Sequence, residues 1–276
     1  MNAADESSRG KMTIKLIAMD MDDTLLNEEH QISPENKEAI RRATEKGVAV
    51  TIATGRMFCS TLPFAEYLGI TVPLINYNGA MVRDILTGKT LFHRPIDRDT
   101  ATAVAALFRE RGWYLQKHID DVLYVAELNE NSRYYSDYVK AEAIPLGNEF
   151  YAMPEAPTKL LSLADQPLLD EIRGVLEERW GDRINAASSR TRYLEMVDAG
   201  VNKGEALAFL ADYLGIRQEE VMAIGDGMND VAMIRYAGIG VAMGNAKAAV
   251  QEFTDYVTAS NAKDGVAEAI EKFVLK

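Results

Sequence analysis

The chemistry of this chain begins where an apolar run ends in two carboxylates one residue apart. Ile14 to Met19 is hydrocarbon apart from Lys15, and Asp20-Met21-Asp22-Asp23-Thr24 follows. Carboxylates this close repel one another unless a cation or a proton lies between them. Magnesium takes a few carboxylate oxygens together with water and phosphate oxygens, which suits such a cluster. A solvated acidic turn has the same composition, and on Asp-x-Asp alone the two readings stand even. A second cluster, Thr54-Gly55-Arg56, follows the apolar run that ends at Ala53. A hydroxyl, a flexible backbone position and a helix start together suit a phosphate oxygen, although on this cluster alone a plain helix cap is the favoured reading. A third, Gly225-Asp226-Gly227-Met228-Asn229-Asp230, follows Val221 to Ile224 and adds two carboxylates on a glycine-flanked loop. Several carboxylates around one sheet edge destabilise a fold unless a divalent cation neutralises them. Lys203, in Asn202-Lys203-Gly204-Glu205, opens a helix; alone, a lysine there is an ordinary surface residue.

The elements that must position these groups follow an α/β rhythm. Ile14 to Met19 and Val48 to Ala53 read as strands buried on both faces, as in a parallel sheet. Between them Ser33, Pro34 and Gly47 mark the cap, first turn and end of a helix. A helix from Met57 to Leu68 and a short strand at Leu74-Ile75-Asn76 continue the pattern. After Asn78-Gly79 the rhythm changes, and Thr87-Gly88 predicts a local hairpin. Helices at Asp97 to Arg111 and Pro167 to Trp180 are expected, with a hairpin of Tyr114 to His118 and Leu123 to Val125 turned by Asp120-Asp121. Strands are expected near Ile184 to Ala186 and Tyr193 to Met196. From Val201 the α/β rhythm resumes, with helices at Asn202 to Leu214 and Asn229 to Tyr236 and strands at Val221 to Ile224 and Ile239 to Ala242. The division expected is a leader at 1–11, a discontinuous core at 12–84 plus 198–276, and an inserted domain at 85–197. The leader is expected to be disordered.

Composition narrows the function. The formal charge of −12, from 30 basic and 42 acidic residues, argues against a nucleic-acid binder. It leaves room for a phosphorylated substrate, because a few local cations and a metal reverse the sign inside one cleft. No apolar run is long enough to span a membrane and no basic, apolar signal segment opens the chain. The single cysteine, Cys59, makes no intramolecular disulfide, which fits a cytoplasmic protein. Cys59 itself reads as a small core residue. No long amphipathic seam is present, so a monomer or weak dimer is expected.

Taken in order, Asp-x-Asp-x-Thr, Thr-Gly-Arg, Asn-Lys-Gly and Gly-Asp-Gly-x-Asn-Asp resemble the four motifs of haloacid-dehalogenase-superfamily phosphatases. The insert between the second and third motifs resembles the type-two cap of their Cof-like subfamily IIB. The likeness spans the chain from Lys11 onward. Asp23 stands where the family often has glycine, and Met196 to Val201 lacks a proline common in relatives; neither position carries the chemistry. The resemblance implies an α/β fold, a Rossmann-like doubly wound parallel-sheet core with an inserted α+β cap. It implies a Mg²⁺-dependent phosphatase acting on small phosphate monoesters (sugar phosphates, nucleotides or cofactor phosphates) through an aspartyl-phosphate. In that scheme Asp20 is the nucleophile and Asp22 the general acid and base. Asp20, the Asp22 main-chain carbonyl and Asp226 hold Mg²⁺. Thr54, Gly55, Lys203, Asn229 and the Met21 amide hold the transferring oxygens, and Asp230 orients metal-bound water or Lys203. His118, Arg190 and Arg192 are the candidate substrate contacts on the cap, with Tyr193 as a platform. As a bare residue pattern His118 reads instead as the surface of a hairpin, and the two arginines as solvated. The partner implied is a small phosphorylated metabolite. A phosphomutase on the same scaffold and a non-catalytic sensor of a phosphorylated ligand are the alternatives; true dehalogenation is disfavoured because Asp22 is present.

Overall fold

A computed structural model describes residues 13–190 and 192–276. The leader expected at 1–11 lies outside the described residues. In chain order the elements are β1 Leu16–Met19, α1 Pro34–Glu45, β2 Ala49–Ile52, α2 Phe58–Leu68, β3 Leu74–Asn76, β4 Met81–Arg83, β5 Thr90–His93, α3 Arg98–Arg111, β6 Gln116–Ile119, β7 Val122–Val125, α4 Glu130–Val139, β8 Ala143–Pro145, β9 Lys159–Leu163, α5 Gln166–Trp180, β10 Ile184–Arg190 and β11 Tyr193–Asp198. There follow α6 Lys203–Tyr213, β12 Val221–Gly225, α7 Val231–Tyr236, β13 Ile239–Ala242, α8 Ala248–Gln251, β14 Tyr256–Val257 and α9 Gly265–Ile270. No helix among the described residues is long and apolar enough to cross a membrane.

The chain forms two compact units. The first comprises the described chain up to Thr54, Phe64–Ile75 and Lys203–Lys276. Its five-stranded sheet runs β14-β13-β12-β1-β2, and every pair is parallel. β1 and β12 are buried along their whole length, as expected of apolar strands covered by helices on both faces. α1 begins as its sequence predicts: Ser33 accepts from the Asn36 amide at 3.1 Å, and Pro34 opens the first turn. Met19 pairs with both Ile224 and Ile52, so the strand ends that carry Asp20, Thr54 and Asp226 share one level of the sheet. That level is the carboxyl edge, where open α/β sheets bind ligands.

The second unit comprises Gly55–Pro63 and Asn76–Asn202. Its six-stranded sheet runs β10-β11-β9-β6-β7-β8, antiparallel except for β7 with β8. On one face α3 and α5 bury Val104, Phe108, Leu169 and Ile172 against Leu160, Leu194 and Met196. On the other, Leu161, Tyr193 and Val125 pack with Tyr135, Val139, Tyr77 and Met57. β4 and β5 form the hairpin predicted around Thr87-Gly88. The sequence placed the divisions at 84/85 and 197/198; the contacts instead assign residues 55–63, 76–84 and 198–202 to the second unit. For residues 55–63 the reason is local, since the first amides of α2 bond to Asp121.

Candidate active site

Three carboxylates meet one ammonium in the first unit. Lys203 Nζ donates to Asp20 Oδ1 at 2.6 Å and to Asp230 Oδ1 at 2.5 Å. Asp20 follows β1, fixed at the strand end by its amide bond to the Ile224 carbonyl at 2.9 Å. Asp226 follows β12, the neighbouring strand. Oxygens of Asp20, Asp226 and Asp230 lie within 4.8 Å of one another.

The glycines of these motifs answer to close approach. A Cβ on Gly225 would lie 2.5 Å from Asp230 Cβ, so only glycine lets Asp230 fold back beneath the loop. There Asp230 Oδ2 accepts from the Asp226 and Gly227 amides at 3.0 and 2.8 Å. A Cβ on Gly204 would lie 2.6 Å from the Ala232 carbonyl, so Gly204 lets α6 lie close against α7. That approach helps to seat Lys203, which is fully buried.

The chain after Asp20 curls into a tight loop, with the Leu26 amide bonded to the Met21 carbonyl at 2.9 Å. Asp23 takes a left-handed conformation, φ 59°, in the position where glycine is common in the family it resembles. Thr24 is buried and donates to Asp226 Oδ1 at 2.7 Å. Two asparagines from the end of the chain brace this loop. Asn245 Nδ2 donates to the Asp23 carbonyl at 2.8 Å and Asn261 Nδ2 to the Leu26 carbonyl at 2.9 Å.

Burial pushes the Asp20 carboxyl well above the usual range; Lys203 pulls it down, and Asp230 and Asp226 push it up again. Burial likewise lifts Asp226 to about 6, with Thr24 opposing and Asp230 and Asp23 adding to the rise. Burial works against the Lys203 charge, but Asp20 and Asp230 outweigh it and hold the ammonium above its ordinary value. Three carboxylates against one ammonium leave two negative charges, which is what a divalent cation neutralises. Both oxygens of Asp230 are engaged by Lys203 and by backbone amides, so Asp20 and Asp226 are the side chains better placed to offer oxygens to an ion. The donor set fits a hard, oxygen-seeking cation.

The structure thus brings Asp20, Lys203, Asp226 and Asp230 into direct or near contact. Met21 is buried and Asp22 partly buried on the same loop. Thr54 is buried at the end of the second strand, its amide bonded to the Ile75 carbonyl at 2.9 Å, and Asn229 is exposed beside Asp230. Gly55 opens the second unit's first segment. Thr24, Asn245 and Asn261 received no role from sequence. Thr24 was visible in its motif, whereas nothing local marks two asparagines more than 200 residues away.

The candidates on the second unit fall in different settings. His118 is not on a hairpin surface: it is fully buried, edge-on to Tyr77 at 5.9 Å and Tyr135 at 5.6 Å. β6 lies inside the sheet between β9 and β7, so its polar residues are enclosed rather than solvated. Burial drives the imidazolium well below its ordinary range, with Lys159 adding to the effect. His118 Nδ1 has no hydrogen-bond partner among the described residues. Arg192 is exposed, 3.3 Å from Asn131 Oδ1 and over the Tyr134 ring. The Arg190 side chain lies outside the described residues. Tyr193 is buried amid Tyr134, Tyr135 and Tyr138. His93 has a partner that sequence did not suggest, Thr158 Oγ1 at 2.9 Å. Cys59, in the first turn of α2, is exposed and not a core residue.

A sequence profile described as haloacid dehalogenase-like hydrolase matches residues 17–270. The chain is 36% identical over 273 residues to the 5-amino-6-(5-phospho-D-ribitylamino)uracil phosphatase YcsE of Bacillus subtilis, covering 97% of this chain and 98% of that protein. It is similar to the crystal structure of TM0651 from Thermotoga maritima, with TM-score 0.86 and 32% identity over 94% of this chain and 97% of that one. It is also similar to the subclass IIB sugar phosphatase BT4131, with TM-score 0.80 and 26% identity over 94% and 98% of the two chains.

Proposed function

The chain belongs to the haloacid dehalogenase-like hydrolases and is a phosphatase, and from that premise we propose that it hydrolyses small phosphate monoesters through a phosphorylated Asp20. The observation that carries this is the convergence of Asp20, Asp226 and Asp230 on Lys203 at the carboxyl ends of two adjacent parallel strands. An ionised carboxylate needs no base to become a nucleophile, provided that its own charge and the substrate's are offset. Lys203 offsets part of that charge. Mg²⁺ held by Asp20, the Asp22 carbonyl and Asp226 would supply the remaining positive charge and screen the nucleophile from the phosphate.

An Asp20 oxygen attacks phosphorus and the ester P–O bond breaks. Asp22, entering as the acid, gives its proton to the departing alkoxide. The same group, now a carboxylate, takes a proton from water as that water attacks phosphorus. The Asp20–phosphorus bond then breaks and inorganic phosphate leaves. Thr54, the Met21 and Gly55 amides, Lys203 and Asn229 hold the phosphoryl oxygens throughout, and Asp230 keeps Lys203 in place.

The substrate we put first is 5-amino-6-(5-phospho-D-ribitylamino)uracil, the compound in the name of the relative that matches along nearly its whole length. Arg190 and Arg192 are our candidates for contacts to the leaving group; His118, fully buried, belongs to the interior of its sheet. The test is phosphate release from para-nitrophenyl phosphate and then from this ester, with and without Mg²⁺. Turnover should require the ion and fall by roughly 10⁴-fold or more in Asp20→Asn, the scale of losing a nucleophile. A folded, ion-binding chain with no turnover on either ester would sink the hydrolytic scheme.

A further inference from the structure

The second unit places an acidic side chain against the segment that follows Thr54. β6 and β7 are joined by Asp120-Asp121, both left-handed with φ 48° and 64°, the geometry of a two-residue hairpin turn. Asp121 Oδ1 accepts from the Phe58 amide at 2.8 Å, and Oδ2 from the Cys59 amide at 2.7 Å. These amides open α2 and have no partner within the helix. Oδ1 also accepts from the Tyr77 hydroxyl at 2.7 Å. The helix is therefore capped by a residue more than 60 positions along the chain.

Other groups of the same unit fix Gly55 and Arg56, two of the three residues just before α2. Tyr77, held at φ 53°, donates its amide to the Arg56 carbonyl at 3.1 Å, and Asn76 Nδ2 donates to the same oxygen at 3.3 Å. Lys159 Nζ donates to the Gly55 carbonyl at 3.3 Å. A tyrosine at positive φ is uncommon and persists only where its surroundings over-determine it. The Tyr77 hydroxyl ends on Asp121, which links the strained tyrosine to the cap.

We propose that Asp121 is a positioning residue for the phosphatase reaction, locking the start of α2 and through it the Gly55-Arg56 turn. This rests on the reading that Gly55 holds a phosphoryl oxygen. Asp121 touches no reacting atom. Its carboxylate suits three donors at once because it has only acceptors; asparagine has one acceptor oxygen and must turn its NH₂ towards a donor. The negative charge also suits the amide end of a helix.

The sole cysteine, Cys59, reports on this bracket without reference to turnover. Although the residue is exposed, desolvation of its sulfur by the surrounding chain, and then Asp121, push its thiol up to about 12. In full-length Asp121→Asn and Asp121→Ala, Cys59 alkylation by iodoacetamide at pH 8 should quicken about tenfold as the carboxylate that opposes the thiolate is removed. Hydrogen exchange in the peptide spanning 54–61 should quicken with it. With Mg²⁺ and para-nitrophenyl phosphate, kcat should fall about 10- to 100-fold with KM changed less than about threefold, the mark of misplacement and not of lost binding. Asparagine should lose less than alanine, and it carries the test if the alanine variant does not fold. Alkylation and exchange unchanged by both substitutions would overturn the proposal, as would a loosened segment with kcat intact. Wild-type chain without turnover would instead break the reading of the catalytic site, leaving alkylation and exchange to decide whether Asp121 holds the turn.

Discussion

Two of the buried lysines, Lys203 in the first unit and Lys159 in the second, solve the same problem in opposite ways. Lys203 and Lys159 are 0% and 1% exposed. Lys203 bonds two carboxylates with a third close by, so its surroundings carry more negative charge than it can cancel. Lys159 bonds one carboxylate, Glu195 at 3.0 Å, and its other neighbours are neutral: the Gly55 carbonyl, the Tyr135 hydroxyl and the faces of Tyr77 and Tyr135. The second Glu195 oxygen accepts from Asn78 Nδ2 at 3.2 Å. A balanced buried pair needs no ion, whereas an unbalanced set does. The first arrangement is suited to chemistry on an anion, and the second to holding chain segments in register.

Removing each ammonium separates the two most sharply. Lys203→Met should lower Mg²⁺-dependent turnover about 10³-fold, the upper range for losing one preorganised donor. Lys159→Met should lower it only about tenfold, yet cost about 3–5 kcal/mol of stability by stranding Glu195 in the interior. Equal activity losses in the two variants would erase the distinction. Denaturant unfolding sharpens it further. Lys159→Met with Glu195→Leu should recover much of the stability lost in the single variant, since no buried charge is left unpaired.

The contrast also explains what was legible. Asp20 and Asp226 each follow a strand whose apolar run is local, so their meeting at one sheet edge could be read from spacing, whereas Lys203 joined them only through the family resemblance of its motif. The Lys159–Glu195 pair could not be read, because Lys159 sits in a strand, Lys159-Leu160-Leu161-Ser162-Leu163, that gave no turn or cap signal. His118 was misread for a related reason. Gln116-Lys117-His118 has the polarity of an exposed edge, but its strand is enclosed by neighbours from distant parts of the sequence. α4, β9 and the helix at Gly265–Ile270 went unread, whereas the parallel strands of the first unit were plain in their apolar runs. Local periodicity reaches as far as elements; pairing of polar groups across a sheet is tertiary information.

The charge excess at Lys203 predicts a pH dependence of stability. The Asp20 carboxyl is raised well above its ordinary value and Asp226 is pushed up to about 6, from a usual 3.8. A carboxyl raised in the native state binds protons more tightly there than when unfolded. Without metal, its contribution is therefore most favourable at low pH and is lost as pH rises from about 4 through about 6. Mg²⁺ reverses this by favouring the ionised forms. At pH 7, at about 100 times its dissociation constant, the ion should stabilise the chain by about 2.7 kcal/mol. The gain should be smaller at pH 5, where protons compete for the same oxygens. Unfolding midpoints at the two pH values, each with and without Mg²⁺, measure the difference; an equal gain at both would place the ion elsewhere.

The smallest change tests whether the first site is tuned by neutral groups as well as by charge. Thr24 Oγ1 is the one side-chain donor to Asp226 among the bonds described, at 2.7 Å, and it opposes the upward push of burial on that carboxyl. Valine keeps the branched shape and removes the donor. In Thr24→Val the Asp226 carboxyl should titrate higher, and stability at pH 7 should fall by about 1 kcal/mol. Mg²⁺ should bind about tenfold more weakly by calorimetry, the usual scale for losing a partner of a metal ligand. Lowering the pH should narrow the gap between variant and wild type, because a protonated Asp226 no longer relies on the threonine hydrogen. Unchanged Mg²⁺ affinity would mean that Asp226 does not hold the ion, leaving Lys203 as the main counter-charge in its site. The contrast with Lys159 would then rest on numbers of carboxylates alone.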